Sequence, residues 1–272
     1  MVAVREAPTK LGRCSVKRVA IIQARMQSRR LPGKVLMPIA GRPMLEHQLR
    51  RVARCGSIDA TVLATTDRPA DDDIAELGRR LDVAVVRGSN EDVLDRFRRA
   101  TEQHAADIVV RLTADCPLID PEVIDAVVDR LASDHAFDYA SNVLTRTYPH
   151  GLDTEAMHAD VVVRLSRLAT SGSDREHVTS YLRFTHPELF RVISVTDVAD
   201  SSDLRWTVDT TEDLRLVRLL FERLNLSEVP LGYREIVALM RADPSLSSVN
   251  QEAAVAYPPD AGFSDRRIEG SR

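Results

Sequence analysis

Short apolar runs alternate with amphipathic helical segments through the first half of this chain, and that alternation limits the possible folds more than any other feature. Val19-Ala20-Ile21-Ile22 has the length of a buried strand, and Ala60 to Thr66, Val83 to Val86 and Ile108 to Leu112 repeat the pattern. Helix candidates fall between them. The first starts at Pro43, with Pro43 in its first turn and Met44, Leu45, Leu49 and Val52 near one face. The second, Asp71 to Leu81, opens on acidic residues and turns Ile74, Leu77 and Leu81 inward. Asp92 to His104 and Pro121 to Leu131 complete the set. Strict β-α-β-α order predicts an α/β fold, a mostly parallel central sheet with helices on both faces. Such sheets bind ligands outside the carboxyl ends of their strands, here the loops after Ile22, Thr66, Val86 and Leu112.

The second half is less regular. Ser141-Asn142 and Gly151 to Met157 read as strand pieces on either side of a Tyr148-Pro149-His150-Gly151 turn. A helix carrying Val161, Val162, Leu165 and Leu168 follows, then a loop at Ser171-Gly172-Ser173. Phe190 to Val195 and Arg205 to Val208 read as strands, and Thr211 to Leu224 and Arg234 to Met240 as helices. From Pro244 the apolar period is lost. The expected organisation is a flexible N-terminal extension (1–18), one domain (19–243) and a mobile C-terminal tail (244–272).

Hydrophobic residues at 44% and charged residues at 29% are the mix of an ordinary globular protein. The net charge of −4 offers no global field for nucleic acid, so any anion site must be local. Cys14, Cys55 and Cys116 form neither a C-x-x-C pair nor a zinc pattern, and are expected to be apolar fillers in a reducing compartment. Residues 1–18 lack a signal-like apolar stretch, and no window approaches a membrane span. A soluble cytoplasmic protein with no membrane or nucleic-acid partner is the expectation.

The loop after the first strand, Gln23 to Lys34, gathers Arg25, Arg29, Arg30 and Lys34. Four like charges in one compact loop repel one another unless an anion neutralises them. Arginine offers forked donors to phosphate oxygens, and lysine a movable point charge. Pro32-Gly33 can turn the backbone so that Lys34 points back to the strand end. A solvated surface loop has the same composition, but its place at a strand's carboxyl end favours an anion site. Asp115 and Asp209 each close an apolar strand, and two such carboxylates suit a hard divalent cation that also takes phosphate oxygens. Capping of a turn before Pro117, or of the helix near Thr211, is the other reading of these aspartates.

The run Ala24-Arg25-x-x-Ser28-x-Arg30-Leu31-Pro32-Gly33-Lys34, followed by Gly41-Arg42-Pro43-Met44-Leu45, resembles the nucleotide-binding signature of the cytidylyltransferases that make CMP-activated acidic sugars, the CMP-Kdo and CMP-sialate synthetases. The match extends best to their spore-coat polysaccharide biosynthesis branch. It continues through Gly88-Ser89-x-x-Asp92-Val93-Leu94-x-Arg96, Asp115-Cys116-Pro117-Leu118-Ile119-Asp120, Gly151-Leu152-Asp153-x-Glu155, Arg175-Glu176-His177-Val178-Thr179 and Trp206-Thr207-Val208-Asp209. Gln27 stands where the branch often has Gly, Arg29 where it often has Thr, and Ala114 where Gly is usual.

The resemblance implies a nucleotide-diphospho-sugar transferase fold of the glycosyltransferase A type. It also implies an enzyme that transfers CMP from CTP to an acidic sugar or similar small acceptor, with Mg2+ as cofactor. By position, Ala24, Arg25, Ser28 and Lys34 hold the CTP phosphates with Arg30 in support, and Asp115 and Asp209 bind magnesium. Arg25, Lys34 and Asp115 are the candidate catalytic residues, while no general base stands out. Thr66, Asp67, Gly88 and Ser89 fall where the family places ribose and base. The acceptor side is Gly151, Asp153 and Glu155 with Arg175, Glu176 and His177, and Tyr148 and His150 line the same pocket. Gly151 would permit close backbone approach, Arg175 could pair with an acceptor anion, and His177 is a binding histidine or a hydrogen-bonded structural one. Relatives are often dimers, which points to a homodimer through the 151–179 region. A pyrophosphorylase acting on a sugar 1-phosphate, a nucleotide-sugar-dependent glycosyltransferase and a non-catalytic nucleotide binder are the other readings of the fold. The basic loop argues against the glycosyltransferase, and the presence of both aspartates against the non-catalytic binder.

Overall fold

Along the first strand, β1 (Arg18–Gln23), side chains alternate between two faces, and both faces are covered. Ala20 and Ile22 join one apolar cluster, Val19 and Ile21 join a second, and all four are fully buried. The computed structural model describes residues 16–256. After β1, a 3-10 turn at Lys34–Leu36 and a small hairpin, β2 (Pro38–Ile39) with β3 (Arg42–Pro43), lead into α1 (Met44–Val52). The alternation then runs β4 (Ala60–Thr66), α2 (Asp72–Arg80), β5 (Ala84–Gly88), α3 (Val93–Gln103), β6 (Ile108–Thr113) and α4 (Pro121–Ala132). The second half adds β7 (Tyr139–Ser141), β8 (Glu155–His158), α5 (Ala159–Leu168), α6 (Gly172–His177), β9 (Val192–Ser194), α7 (Thr211–Arg223), α8 (Tyr233–Ala242), α9 (Ser245–Ser248) and α10 (Gln251–Ala256).

The strands form one sheet of order β5-β4-β1-β6-β8-β7-β9. All its pairings are parallel except those of β8, which runs antiparallel to β6 and β7. This is the mostly parallel α/β sheet expected from the sequence. Helices α1, α2, α4, α7 and α8 bury apolar faces in the cluster containing Ile22, and α3 and α5 in the cluster containing Ile21. Strand order reverses beside β1, which has β4 on one flank and β6 on the other. A crevice therefore opens at the carboxyl ends of β1 and β6, where no crossover helix covers the sheet.

Several local expectations are corrected. Pro43 pairs with Pro38 in the hairpin, so α1 begins one residue later. Gly151 to Thr154 is not strand, and β8 starts only at Glu155, where Arg111 and Ser141 become available as ladder partners. Ser171 to Ser173 is not a free loop, because the Ser171 hydroxyl accepts from the Asp174 N–H and caps α6. Arg205 to Val208 makes no ladder. Its N–H groups are split between two segments, Trp206 and Thr207 donating to the His150 carbonyl and Val208 to that of Asp115. Residues 244–256, assigned from sequence to the loose tail, continue in helices α9 and α10. Leu246 is buried there, and the Asn250 amide donates to Asp213 (2.8 Å) and the Arg205 carbonyl (3.1 Å). Cys14, most of the N-terminal extension and the rest of the tail lie outside the described residues. Among the described residues no helix is long and apolar enough to cross a membrane.

Candidate active site

Lys34 organises the crevice. Gly33 takes φ 73°, which a Cβ disfavours, and this left-handed residue reverses the chain so that Lys34 turns back toward the sheet. Its Nζ donates to Asp115 Oδ2 (3.0 Å), Asp209 Oδ1 (2.8 Å) and the Val208 carbonyl (2.7 Å). Two carboxylates far apart in sequence thus share one nitrogen. The tertiary cause is the Val208 N–H to Asp115 carbonyl bond (2.8 Å), which sets residues 208 and 209 beside the end of β6. Burial pushes the Asp115 carboxyl up, but Lys34 and a hydrogen bond from Thr113 outweigh it and hold the group well below the usual carboxylate range. For Lys34, burial lowers the pKa, and the two aspartates reverse the direction.

Asp209 does not cap α7. Thr210 and Asp213 form the capping box there, so the Asp209 carboxylate is left to face the crevice. Its Oδ1 also meets Arg30 (3.1 Å), and its Oδ2 accepts from Arg205 (2.8 Å). Asp115 and Asp209 line the crevice, as do Glu91 and Glu176. Among the described residues no group of three or more His, Cys, Asp or Glu side chains could hold a metal.

The crevice has a volume of about 1130 Å³, and the basic loop forms one wall, with Ala24, Arg25, Ser28, Arg29, Arg30 and Lys34 all lining it. That space is at the upper end of, or beyond, the roughly 300–1,000 Å³ of small-molecule sites. Arg25 donates to Glu176 (2.9 Å), and Glu176 and His177 also line the crevice. Arg175, one residue earlier on α6, points elsewhere. Its guanidinium is held by Asp92 (2.7 Å) and by the carbonyls of Ser166 and Ala169, which corrects its assignment to an acceptor anion.

Other expected contacts turn inward as well. Glu155 is buried and taken by Arg111 and by the Tyr139 hydroxyl (2.8 Å), and Asp153 by both terminal nitrogens of Arg146. Tyr148 packs edge-on against Tyr233. Gly151, at φ 116°, approaches this chain's own backbone rather than a ligand. Thr66 is fully buried with its hydroxyl on Asp71, and Gly88 abuts the Arg96 stem. Thr66, Asp67, Gly88 and Ser89 do not line the crevice, whereas their neighbours Asn90 and Glu91 do.

Arg96 and Arg111 line it too, although neither was singled out from sequence. The signals were present: Arg111 interrupts an apolar strand run, and Arg96 ends a matched motif. Arg96 is 1% exposed, its Nε has no hydrogen-bond partner, and burial with Arg25 nearby pushes the guanidinium down to about 10.

His150 lies behind the site, where its Nδ1 accepts from Arg205 (3.0 Å). Burial pushes its pKa down, as it does for His47. The unfolded chain therefore takes up these protons first, near the ordinary value of about 6.5. Their stabilising contribution is complete above that pH and declines below it. The melting temperature should fall from pH 7.5 to 5.5, and less steeply in His150→Gln; identical slopes would remove His150 from the account.

A parallel sheet whose first strand ends in a cationic loop, with Lys34 of that loop held by Asp115 and Asp209, has the layout of a nucleotide-binding α/β enzyme. The comparisons agree. The model of the cytidylyltransferase family matches residues 19–224, and the chain belongs to that family. It is similar to the Bacillus subtilis spore coat polysaccharide biosynthesis protein SpsF, with 33% identity over 235 residues, 84% of this chain and 95% of that protein. It is also similar to the 3-deoxy-manno-octulosonate cytidylyltransferase of Geobacter metallireducens, with 35% identity over 119 residues, 44% of this chain and 46% of that enzyme. Among solved structures, a cytidylyltransferase from Leptospira borgpetersenii superposes with a TM-score of 0.80 at 30% identity, covering 85% of this chain and 97% of that one.

Proposed function

We propose that this cytidylyltransferase joins CMP from CTP to an acidic sugar or a similar small acceptor, with magnesium as cofactor. The observation that carries the reading is the convergence of Lys34, Asp115 and Asp209 at one point of a crevice also lined by Arg25, Arg29 and Arg30. The similarity to a 3-deoxy-manno-octulosonate enzyme supports a sugar-acid acceptor, and that to SpsF supports a role in polysaccharide synthesis.

Two hard carboxylate donors at an open crevice fit a magnesium ion. Asp115 and Asp209 would hold it, and it would supply charge stabilisation to the phosphates. Arg25, Ser28, Arg30 and Lys34 bind the triphosphate in this reading. An acceptor hydroxyl attacks the α-phosphorus in line and gives up its proton to solvent, the bond to the bridging oxygen breaks, and pyrophosphate leaves with the electron pair. Negative charge grows on the leaving oxygens, so the cationic wall stabilises the transition state more than bound CTP. The rest is positioning. Glu176 and His177 line the same crevice, where an acceptor would be oriented, and Glu176 also holds Arg25 in place.

A pyrophosphate-release screen with the four nucleoside triphosphates, magnesium and a panel of sugar acids tests the reading. Release with CTP and a sugar acid is expected. Release only with another triphosphate and a sugar 1-phosphate would transfer the assignment to a pyrophosphorylase. Excess EDTA should stop turnover and added magnesium restore it; turnover that persists in EDTA would remove the metal from the scheme.

A further inference from the structure

An ammonium group has three N–H donors. Those of Lys34 meet three acceptors, Asp115 Oδ2, Asp209 Oδ1 and the Val208 carbonyl, and the residue is only 8% exposed. In this arrangement Lys34 has no donor left for a phosphate, and both carboxylates already face a cation. Asp209 faces two more, Arg30 at 3.1 Å and Arg205 at 2.8 Å. A bare divalent ion would add two positive charges at a point where Lys34 and Arg30 already neutralise Asp115 and Asp209, and where Arg205, itself paired with Asp213, lies against Asp209. Like charges at such distances oppose one another strongly in a poorly solvated site. A triphosphate changes the balance, because it brings several negative charges and offers new acceptors to the displaced ammonium.

We propose that Lys34 is a built-in cation that excludes divalent metal from the nucleotide-free enzyme, so that metal enters only together with the triphosphate. This rests on the reading of Asp115 and Asp209 as metal ligands. The exchange is balanced: the carboxylate oxygens pass from the ammonium to the metal, and the freed N–H donors pass from the carboxylates to phosphate oxygens. No proton is transferred. A lysine suits this exchange better than an arginine, since its charge is compact and its stem flexible.

The test uses Mn2+ as the probe and the full chain, with water-proton relaxation enhancement separating protein-held from free and nucleotide-held ion. Without nucleotide, Lys34→Met keeps the stem but not the charge and should bind Mn2+ about tenfold or more tightly than the wild type. Equal affinities overturn the proposal. A second measurement needs no variant. The Lys34 ammonium signal in the NMR spectrum of 15N-lysine-labelled wild type should be unmoved by millimolar Mg2+ alone and shifted by Mg2+ with CTP. A shift with Mg2+ alone also overturns the proposal. An Asp115→Asn control separates the two readings. With CTP present it should lose protein-held Mn2+ that the wild type retains; if it binds Mn2+ as the wild type does, the metal assignment itself fails.

Discussion

Replacing Lys34 with alanine is expected to lower turnover with CTP by about a hundredfold or more, comparable to the loss of one preorganised donor at a developing charge. Asp209→Ala should have an effect of the same order. Lys34→Ala also leaves Asp115 and Asp209 close together without their shared cation, and breaking a buried pair from one side costs about 3 kcal/mol or more. Stability and chemistry therefore have to be read separately. Melting temperature reports the first, and single-turnover rates at a temperature where both proteins are folded report the second. In Asp209→Ala the repulsion is relieved, because Lys34 keeps Asp115 and Arg205 keeps Asp213 (3.0 Å). That variant should remain folded and slow. Near-normal rates in both variants would refute the assigned site, whatever their stabilities.

Gly151→Ala is expected to destabilise the protein by about 4 kcal/mol, from backbone collision and from a left-handed φ. A Cβ at Gly151 would sit 2.5 Å from the Thr207 backbone nitrogen and 2.7 Å from the Trp206 carbonyl carbon, and neither is a mobile side-chain tip. At about 2–4 °C per kcal/mol for a chain of this size, the melting temperature should drop by about 10 °C. The displaced segment carries Val208 and Asp209, so activity should fall with stability. A melting point within about 2 °C of wild type would show that residues 206–207 can shift freely, contrary to this packing. The result also separates two roles for this glycine: a contact for a ligand leaves stability unchanged, whereas a contact for the chain's own backbone does not.

The comparison of sequence with structure turns on the range of each interaction. Strand β1, its cationic loop and the α/β order were legible because periodicity and turn chemistry act over a few residues. The rule that ligands gather at the carboxyl ends of parallel strands pointed to the crevice where Lys34 meets Asp115, whereas Asp209 reaches it from a segment that forms no strand. Partner choice among charges was not legible. Arg175 and Glu176 are adjacent, yet one is held by Asp92 behind α6 and the other meets Arg25 at the crevice, because neighbouring helix positions point about 100° apart. Asp153 and Glu155 looked like ligand contacts for the same reason that they form ion pairs within the protein, since both uses call for a carboxylate in a polar segment.

By itself the sequence determined the sheet's core strands, the cationic loop and the family. Only the tertiary structure decided which carboxylates remain open to the crevice and which are neutralised within the protein, and that Lys34 occupies the point between Asp115 and Asp209. The physical reason is that a Coulomb pair depends on distance in space and on exclusion of water, and both are set by how separate segments pack.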